Sequence, residues 1–332
     1  LIRIARIRPI LTPGGRLGYP APVSTIHREQ RSMSVRRINA VLAAMTFAVA
    51  APVAAQQQQQ PWQSFVSVSP VFETADLDRG GSVDVSGAIL RGGTVRNFGG
   101  GTSAGITLNY DYTDYSFDNP VAFGGVAPWG IVQRYGFSVP LTYGLKDGWA
   151  VGVTPSFDWF KEDGANSSDA LVWGATFSAV KRYANGNVLG VGFGAFDRLE
   201  ERAVIPFPIV NWRFGERWQL RNPLAAGPTG PAGLELDYLF RDGWRLGIGA
   251  AYRKVRFRLS DSGPTPNGIG EVSGVPIFLK ASNTFAKTYT LNVYAGVVAG
   301  GQLRVEDPSG NELRKEDFDL APLVGINVTA RF

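Results

Sequence analysis

Leu323-Val-Gly-Ile-Asn-Val-Thr-Ala-Arg-Phe332 is the stretch from which the fold is read. Val324, Ile326, Val328, Ala330 and Phe332 are apolar, and Gly325, Asn327, Thr329 and Arg331 stand between them. A period of two puts successive side chains on opposite faces, so the stretch is a strand with one apolar and one polar face. Taken alone, it fits the last strand of a soluble sandwich as well as the wall of a barrel.

The same period recurs along the chain. Ile106, Leu108, Tyr110 and Tyr112 alternate with Thr107, Asn109, Asp111 and Thr113. Trp149, Val151 and Val153 alternate with Ala150, Gly152 and Thr154, and Trp244, Leu246 and Ile248 with Arg245, Gly247 and Gly249. The stretches are long enough for a tilted strand to cross a hydrocarbon layer, and aromatics crowd their ends as interfacial girdles do. Trp149, Trp218, Trp244 and Phe332 are the girdle candidates.

The turns narrow the choice. Leu145-Lys-Asp-Gly-Trp149 and Phe240-Arg-Asp-Gly-Trp244 are nearly one pentapeptide, and Phe214-Gly-Glu-Arg-Trp218 shares the frame. Flanking residues four apart share a face, so each hairpin keeps the outside out. Gly148 and Gly243 stand where a three-residue loop takes a left-handed residue. These tight turns alternate with longer polar loops near 118–130, 161–168, 261–271 and 303–319. Counting gives 14 strands, the last at 320–332, with 12 as the alternative if the proline-bearing segment 203–224 is one long loop. Short turns on one side and long loops on the other form the layout of a single antiparallel transmembrane β-barrel over 62–332. At Arg253-Lys254 the alternation slips phase, which predicts a bulge there, with Arg256 and Arg258 pointing inward or into the outer rim.

The charge balance excludes a nucleic-acid partner. The formal charge is +5, but residues 1–55 hold eight of the 33 basic residues and one of the 28 acidic ones, leaving 25 basic against 27 acidic beyond them. Met33-Ser-Val-Arg-Arg37, the apolar run to Val49 and the small residues before Gln56 make 33–55 a secretory signal peptide. Residues 1–32, rich in Arg and Pro without periodicity, read as an extension ahead of a true start at Met33, or else as a genuine N-terminal extension. Residues 56–61 read as a polar tail.

Beyond the leader, the terminal strand with its final Phe332 resembles the C-terminal strand of Gram-negative outer-membrane β-barrels. The exported leader, Pro206-Phe-Pro208 with Asn211-Trp212, the Trp-led hairpins and Phe332 together resemble a porin-like family of such barrels, of the domain-of-unknown-function kind. That resemblance implies the outer membrane of a Gram-negative bacterium, contact with its lipids, passage by periplasmic chaperones and recognition of the last strand by the barrel-assembly machinery. It implies no cofactor and supplies no catalytic residues.

His27 is the sole histidine and the chain has no cysteine. Ser-His and Cys-His nucleophilic catalysis and ordinary zinc sites therefore have no residues to use after the leader, and no enzyme is expected. Ser178-Ala-Val-Lys181 has the letters of a Ser-x-x-Lys motif, but an offset of three on a strand divides the pair between faces. Asp76, Asp78 and Asp84 resemble half a calcium loop, with Gly87 in place of the closing Glu. The inward polar set is the candidate site: Arg134, Asp158, Asn211, Arg213, Glu235, Asp237, Arg245, Arg256, Arg258, Lys280 and Arg331. Asp237 is expected to pair with Arg245 across their hairpin. Lumen charges of this kind either set selectivity or lock the interior by pairing. The leading expectation is a porin-like passive channel for small polar or anionic solutes. The alternative is a closed structural or surface-interaction barrel.

Overall fold

The period-two pattern becomes one continuous sheet that closes on itself. The computed structural model describes residues 61–240 and 243–332. The leader, most of the polar tail and the Arg241-Asp242 pair of one turn lie outside the described residues. The strands are β1 (Trp62–Asp76), β2 (Ser82–Gly99), β3 (Thr102–Asp118), β4 (Ile131–Ser138), β5 (Leu141–Gly144), β6 (Trp149–Glu162), β7 (Leu171–Arg182) and β8 (Val188–Arg198). They continue as β9 (Glu201–Phe214), β10 (Trp218–Arg221), β11 (Ala232–Leu239), β12 (Arg245–Arg258), β13 (Ile269–Phe285), β14 (Tyr289–Glu306) and β15 (Glu312–Arg331).

Neighbours in sequence pair antiparallel, and β15 returns to β1 from Phe65↔Arg331 to Glu73↔Leu323. β4 and β5 are two halves of one crossing, because both lie between β3 and β6. The interruption falls at Val139-Pro140, where proline has no N–H for the ladder. The closed wall therefore has the 14 positions expected from sequence, with one strand in two pieces. Residues 203–221 form the β9–β10 hairpin, not a loop, and only 222–224 of that segment leave the sheet.

The apolar residues face outward. Leu108, Val191, Ile248, Leu279 and Val324 are all at least half exposed. A fully buried side chain of this size gains about 1.5–3 kcal/mol relative to water. A band of them around a closed sheet therefore belongs in lipid, and a sandwich is ruled out because, among the described residues, no second sheet covers the band. Gly148 and Gly243 adopt positive φ (76° and 78°), as their turns require.

Two expectations are corrected. The segment 303–319 is not a long polar loop: β14 and β15 run on as a paired ladder (Leu303↔Glu316, Val305↔Arg314), leaving a five-residue loop, 307–311. With 18 and 20 residues, these strands exceed the roughly 9–11 needed to cross the membrane. Beyond the lipid both faces can be polar, which is why the extension looked like a loop. The second correction concerns β12. Its register with β13 holds from Arg245↔Ser282 to Arg258↔Ile269 without a shift, so the phase does not slip. The polarity of the two faces inverts instead. Phe257 shares the inward face with Arg253 and is fully buried, whereas Arg256 and Arg258 occupy the opposite face.

That inversion has a cause in the topology. The far end of β12 leans across the barrel mouth and meets β6 through a parallel bridge, Arg258↔Lys161. Five strands, β7 to β11, are bypassed there, so the ring contracts. Inward residues at this end pack on one another instead of facing solvent. Trp129 and Phe257 meet edge to face at 5.3 Å, and Tyr115, Phe123, Leu303 and Phe318 complete an apolar plug. Arg256 and Arg258 are covered from behind by the β8–β9 turn. Arg256 donates to the Leu199 carbonyl at 3.0 Å and pairs with Glu271 and Glu306, both at 2.7 Å, and Arg258 pairs with Glu200 at 3.0 Å.

Candidate functional site in the barrel lumen

Below the apolar plug, the inward side chains form charged clusters that are matched internally. Arg134 on β4 grips Asp158 on β6 with two 3.0 Å bonds and reaches Asp111 on β3 at 3.4 Å. Arg91 on β2 closes the row on the other side of Asp111, and Asn109 donates to Asp158 at 3.2 Å. Gly136 stands opposite Asp158, whose side chain lies over it; a Cβ there would collide with that carboxylate. The missing side chain is what lets a carboxylate reach sideways along the wall.

A second cluster repeats the device. Glu235 and Asp237 on β11 lie between Arg221 on β10 and Lys280 on β13. Lys280 Nζ is 2.5 Å from Glu235 and 3.0 Å from Asp237, and Arg221 is 2.7 Å and 2.8 Å from the same pair. Gly247 on the intervening β12 leaves the room that Asp237 occupies. The expected Asp237–Arg245 pair does not form, because Arg221 and Lys280 hold the carboxylate. A third pair spans the lumen: Arg253 on β12 takes both oxygens of Glu73 on β1, at 2.7 Å and 2.8 Å. At the closing seam, Asn327 donates to Ser67 and Ser69 at 2.7 Å and 2.8 Å and accepts from Asn292 at 2.9 Å.

Toward the end where β1 begins and β15 finishes, the balance changes. Arg213 and Arg331 are exposed and Arg245 is half-buried. Among the described residues, no carboxylate lies within ion-pair distance of these three. Trp149, Trp218, Trp244 and Phe332 project outward at this same end, each more than 40% exposed. Ser178 and Lys181 fall on opposite faces of β7, and Lys181 lies 5.6 Å from the Trp149 ring centre. Asp76 and Asp84 belong to paired strands around a short turn, not to a twelve-residue cation loop. In that turn, partial loss of hydration and then the charges of Asp319, Asp317 and Glu316 raise the Asp78 carboxyl above its ordinary value.

Sequence reasoning missed the segment 222–231, which folds into the lumen. Pro223, Ala226, Gly227, Pro228 and Thr229 are buried. Ser69 on β1 donates to the Ala226 carbonyl, and Arg253 donates to that of Pro228 at 3.3 Å. Pro228 rests on Gly325 of β15, where a Cβ would meet the Pro228 ring at 2.8 Å. A signal was present: Asn222-Pro-Leu-Ala-Ala-Gly-Pro-Thr-Gly-Pro231 has no charge, whereas an ordinary surface loop is polar. Arg91, Asp111, Glu73, Arg221 and Arg253 were also missed as ion-pair partners, because pairing depends on which strands become neighbours several positions apart.

Between the charged clusters, the plug and this inward loop lies a cavity of about 710 Å³. That is within the range of small-molecule sites, about 300–1,000 Å³. Val71, Val85, Ile89, Val255, Leu303 and Phe318 supply much of its wall, with the Glu73–Arg253 and Asp111–Arg134 pairs at its margin.

No protein-family model and no curated protein matches the chain. Solved structures with a similar course include an outer membrane channel from Pseudomonas putida F1, at 13% identity over 85% of this chain and 100% of that one, with a TM-score of 0.47. The P. putida toluene transporter TodX has 11% identity, coverage of 83% and 91%, and a TM-score of 0.40. The translocator domain of autotransporter NalP from Neisseria meningitidis has 13% identity, coverage of 92% and 98%, and a TM-score of 0.35.

Proposed function

We propose that the protein is an outer-membrane channel of narrow bore, which admits small solutes to an internal cavity and does not sustain bulk flow. The cavity of about 710 Å³ inside a lipid-facing barrel carries this reading. A purely structural barrel needs no internal void, and interiors otherwise pack closely. The plug and the inward loop make an open, water-filled pore a poor description. The cations Arg213, Arg245 and Arg331 at the end where β1 begins and β15 finishes form a vestibule that favours anions in any ionic current. With that end and its short turns on the periplasmic side, the vestibule faces the periplasm, and the last strand, ending on Phe332, is the one offered to the assembly machinery.

Single-channel recording in planar bilayers tests the proposal. Small, stable, anion-preferring conductance steps are expected. A folded barrel that stays silent, and gives vesicles no permeability to small solutes, refutes it. The second reading, a closed structural barrel, draws support from the extent of charge pairing and from the apolar plug. It is the outcome that silence would favour.

A further inference from the structure

The barrel wall, closed all round at the end that carries Trp218 and Trp244, stops short on one side farther along. β10 has 4 residues and β11 has 8, against the roughly 9–11 of a full crossing. From the girdle residue Trp218, four residues at about 3.3 Å each, tilted by about 45°, rise only about 10 Å of the roughly 25 Å apolar band. Beyond Asn222, which bonds to Val210 in both directions, β9 has its ladder to β8 and, among the described residues, no strand on its other side. Beyond Tyr252, β12 has its ladder to β13 and only the single bridge to β6 on its other side. An unpaired edge in lipid leaves backbone donors unsatisfied, which is costly where no water can take their place. Pro206 and Pro208 stand on the unpaired part of β9, where a residue without an N–H removes that cost. Four features frame the gap. β9 near Ala203 and Ile205 forms one jamb and β12 at Tyr252–Lys254 the other. The inward loop is the sill, and the ion pair of Glu201 with Lys254 at 3.4 Å is the lintel.

The cavity passes through this frame. Its lining includes Val204 and Tyr252, which face outward at 71% and 50% exposure, together with Val71 and Ile89, which face inward. We infer that the slot between β9 and β12 is a side portal through which small apolar molecules pass between the lumen cavity and the hydrocarbon layer. The inference rests on the channel reading above and adds to it a route and a substrate class. The class follows from the lining: apart from Arg202, at the outer rim 3.8 Å from Asp197, the charged groups at the cavity margin are each held by an opposite charge at the margin or in the barrel wall behind it, which leaves an apolar wall facing the ligand. A charged solute would lose its hydration there without gaining a counter-charge.

The chain has no cysteine, so a single introduced thiol reports unambiguously. Ile89→Cys places one on the inward wall of the cavity. In lipid vesicles, neutral N-phenylmaleimide is expected to modify it at least tenfold faster than a sulfonated maleimide, read by intact mass. Ala203→Trp, which fills the slot, is expected to cut the neutral reagent's rate about tenfold while leaving an outward Val324→Cys control unchanged. Added naphthalene should protect Ile89→Cys and sodium acetate should not. If the sulfonated reagent reacts as fast and Ala203→Trp has no effect, the cavity opens to water through the barrel ends and the portal is refuted. Failure of both reagents refutes it equally. Heat-modifiable gel migration checks that each variant folds, and Ala232→Trp, at the start of β11 opposite Tyr252 of the other jamb, replaces any Ala203→Trp protein that does not. Conductance is measured separately. A conducting barrel without slot-dependent labelling overturns the portal alone, and a silent barrel with slot-dependent labelling overturns the channel alone.

Discussion

Replacing Lys280 by Met distinguishes a packed lumen from a water-filled one. Lys280 is 3% exposed, and its ammonium lies between Glu235 and Asp237, themselves 2% and 1% exposed. Removing it leaves two carboxylates with Arg221 as their one paired cation among the described residues. At an effective dielectric constant near 20, a unit pair 4 Å apart is worth about 4 kcal/mol, and removing one partner of a buried pair costs about 3–5 kcal/mol. Arg221 remains to hold one acid, so the expected loss is near the lower end, about 3 kcal/mol. That equals about two decades in the folding equilibrium. The assay is reversible urea titration of folding into lipid vesicles, followed by tryptophan fluorescence and heat-modifiable migration. Lys280→Met/Glu235→Gln should recover much of the loss, because the second change removes the charge left unpaired. A loss below about 1 kcal/mol for the single variant would refute the reasoning. It would mean that water already solvates the cluster and that the lumen is an open pore.

Four further outcomes are expected. Gly325→Val should lift Pro228 and the loop around it from β15 and raise single-channel conductance severalfold; an unchanged conductance removes the loop as the constriction. Arg213→Glu with Arg245→Glu should reverse the sign of the zero-current potential in a potassium chloride gradient, and a retained anion preference would locate selectivity elsewhere. Deleting Phe332, which is 54% exposed at the barrel end, should lower the folded fraction in cells several-fold while refolding in vitro persists, and equal loss in both settings would point to stability instead of recognition. In the 307–311 loop, the Asn311 side chain, then its backbone N–H, hold the Asp307 carboxyl below the ordinary range. A depressed folded pKa means that this loop's stabilisation is full above the unfolded value of about 3.9 and fades as pH falls through the folded one. The Asn311 amide resonance should therefore titrate below that value, and a midpoint at or above it contradicts the hydrogen-bond pattern.

The barrel was legible because its signal is local. Leu108 and Asn109 face opposite ways because they are adjacent in sequence, and the same rule holds on every strand. Asp237 marks where that legibility stops. From the hairpin alone, Arg245 is its natural partner. The observed partners, Arg221 and Lys280, come from strands whose adjacency depends on register and on the space above Gly247. Arg256, expected inward or in the outer rim, departs from the inward reading for another reason. Polarity was read as direction, which holds within the lipid band, where outside means apolar. Where β12 leans over the mouth, inside is the apolar side, so Phe257 and Arg256 reverse their meanings without any shift of the backbone.

The prolines, the short strands and the uncharged loop answer one another. Full-length β10 and β11 would have closed the wall and left residues 222–231 outside as a conventional surface loop. Ending β10 at Arg221 exposes the β9 edge within the membrane, and that is the edge on which Pro206 and Pro208 stand. The chain that would have continued the wall turns inward instead, and its freedom from charge suits the apolar cavity it borders. A porin for polar solutes has no use for this arrangement, because its solutes enter from water at the two ends. A gap facing lipid serves a molecule that prefers lipid. The anion preference assigned to Arg213, Arg245 and Arg331 and the apolar route assigned to the slot therefore describe two different doors, and blocking the slot should leave the ionic current unchanged while abolishing apolar access.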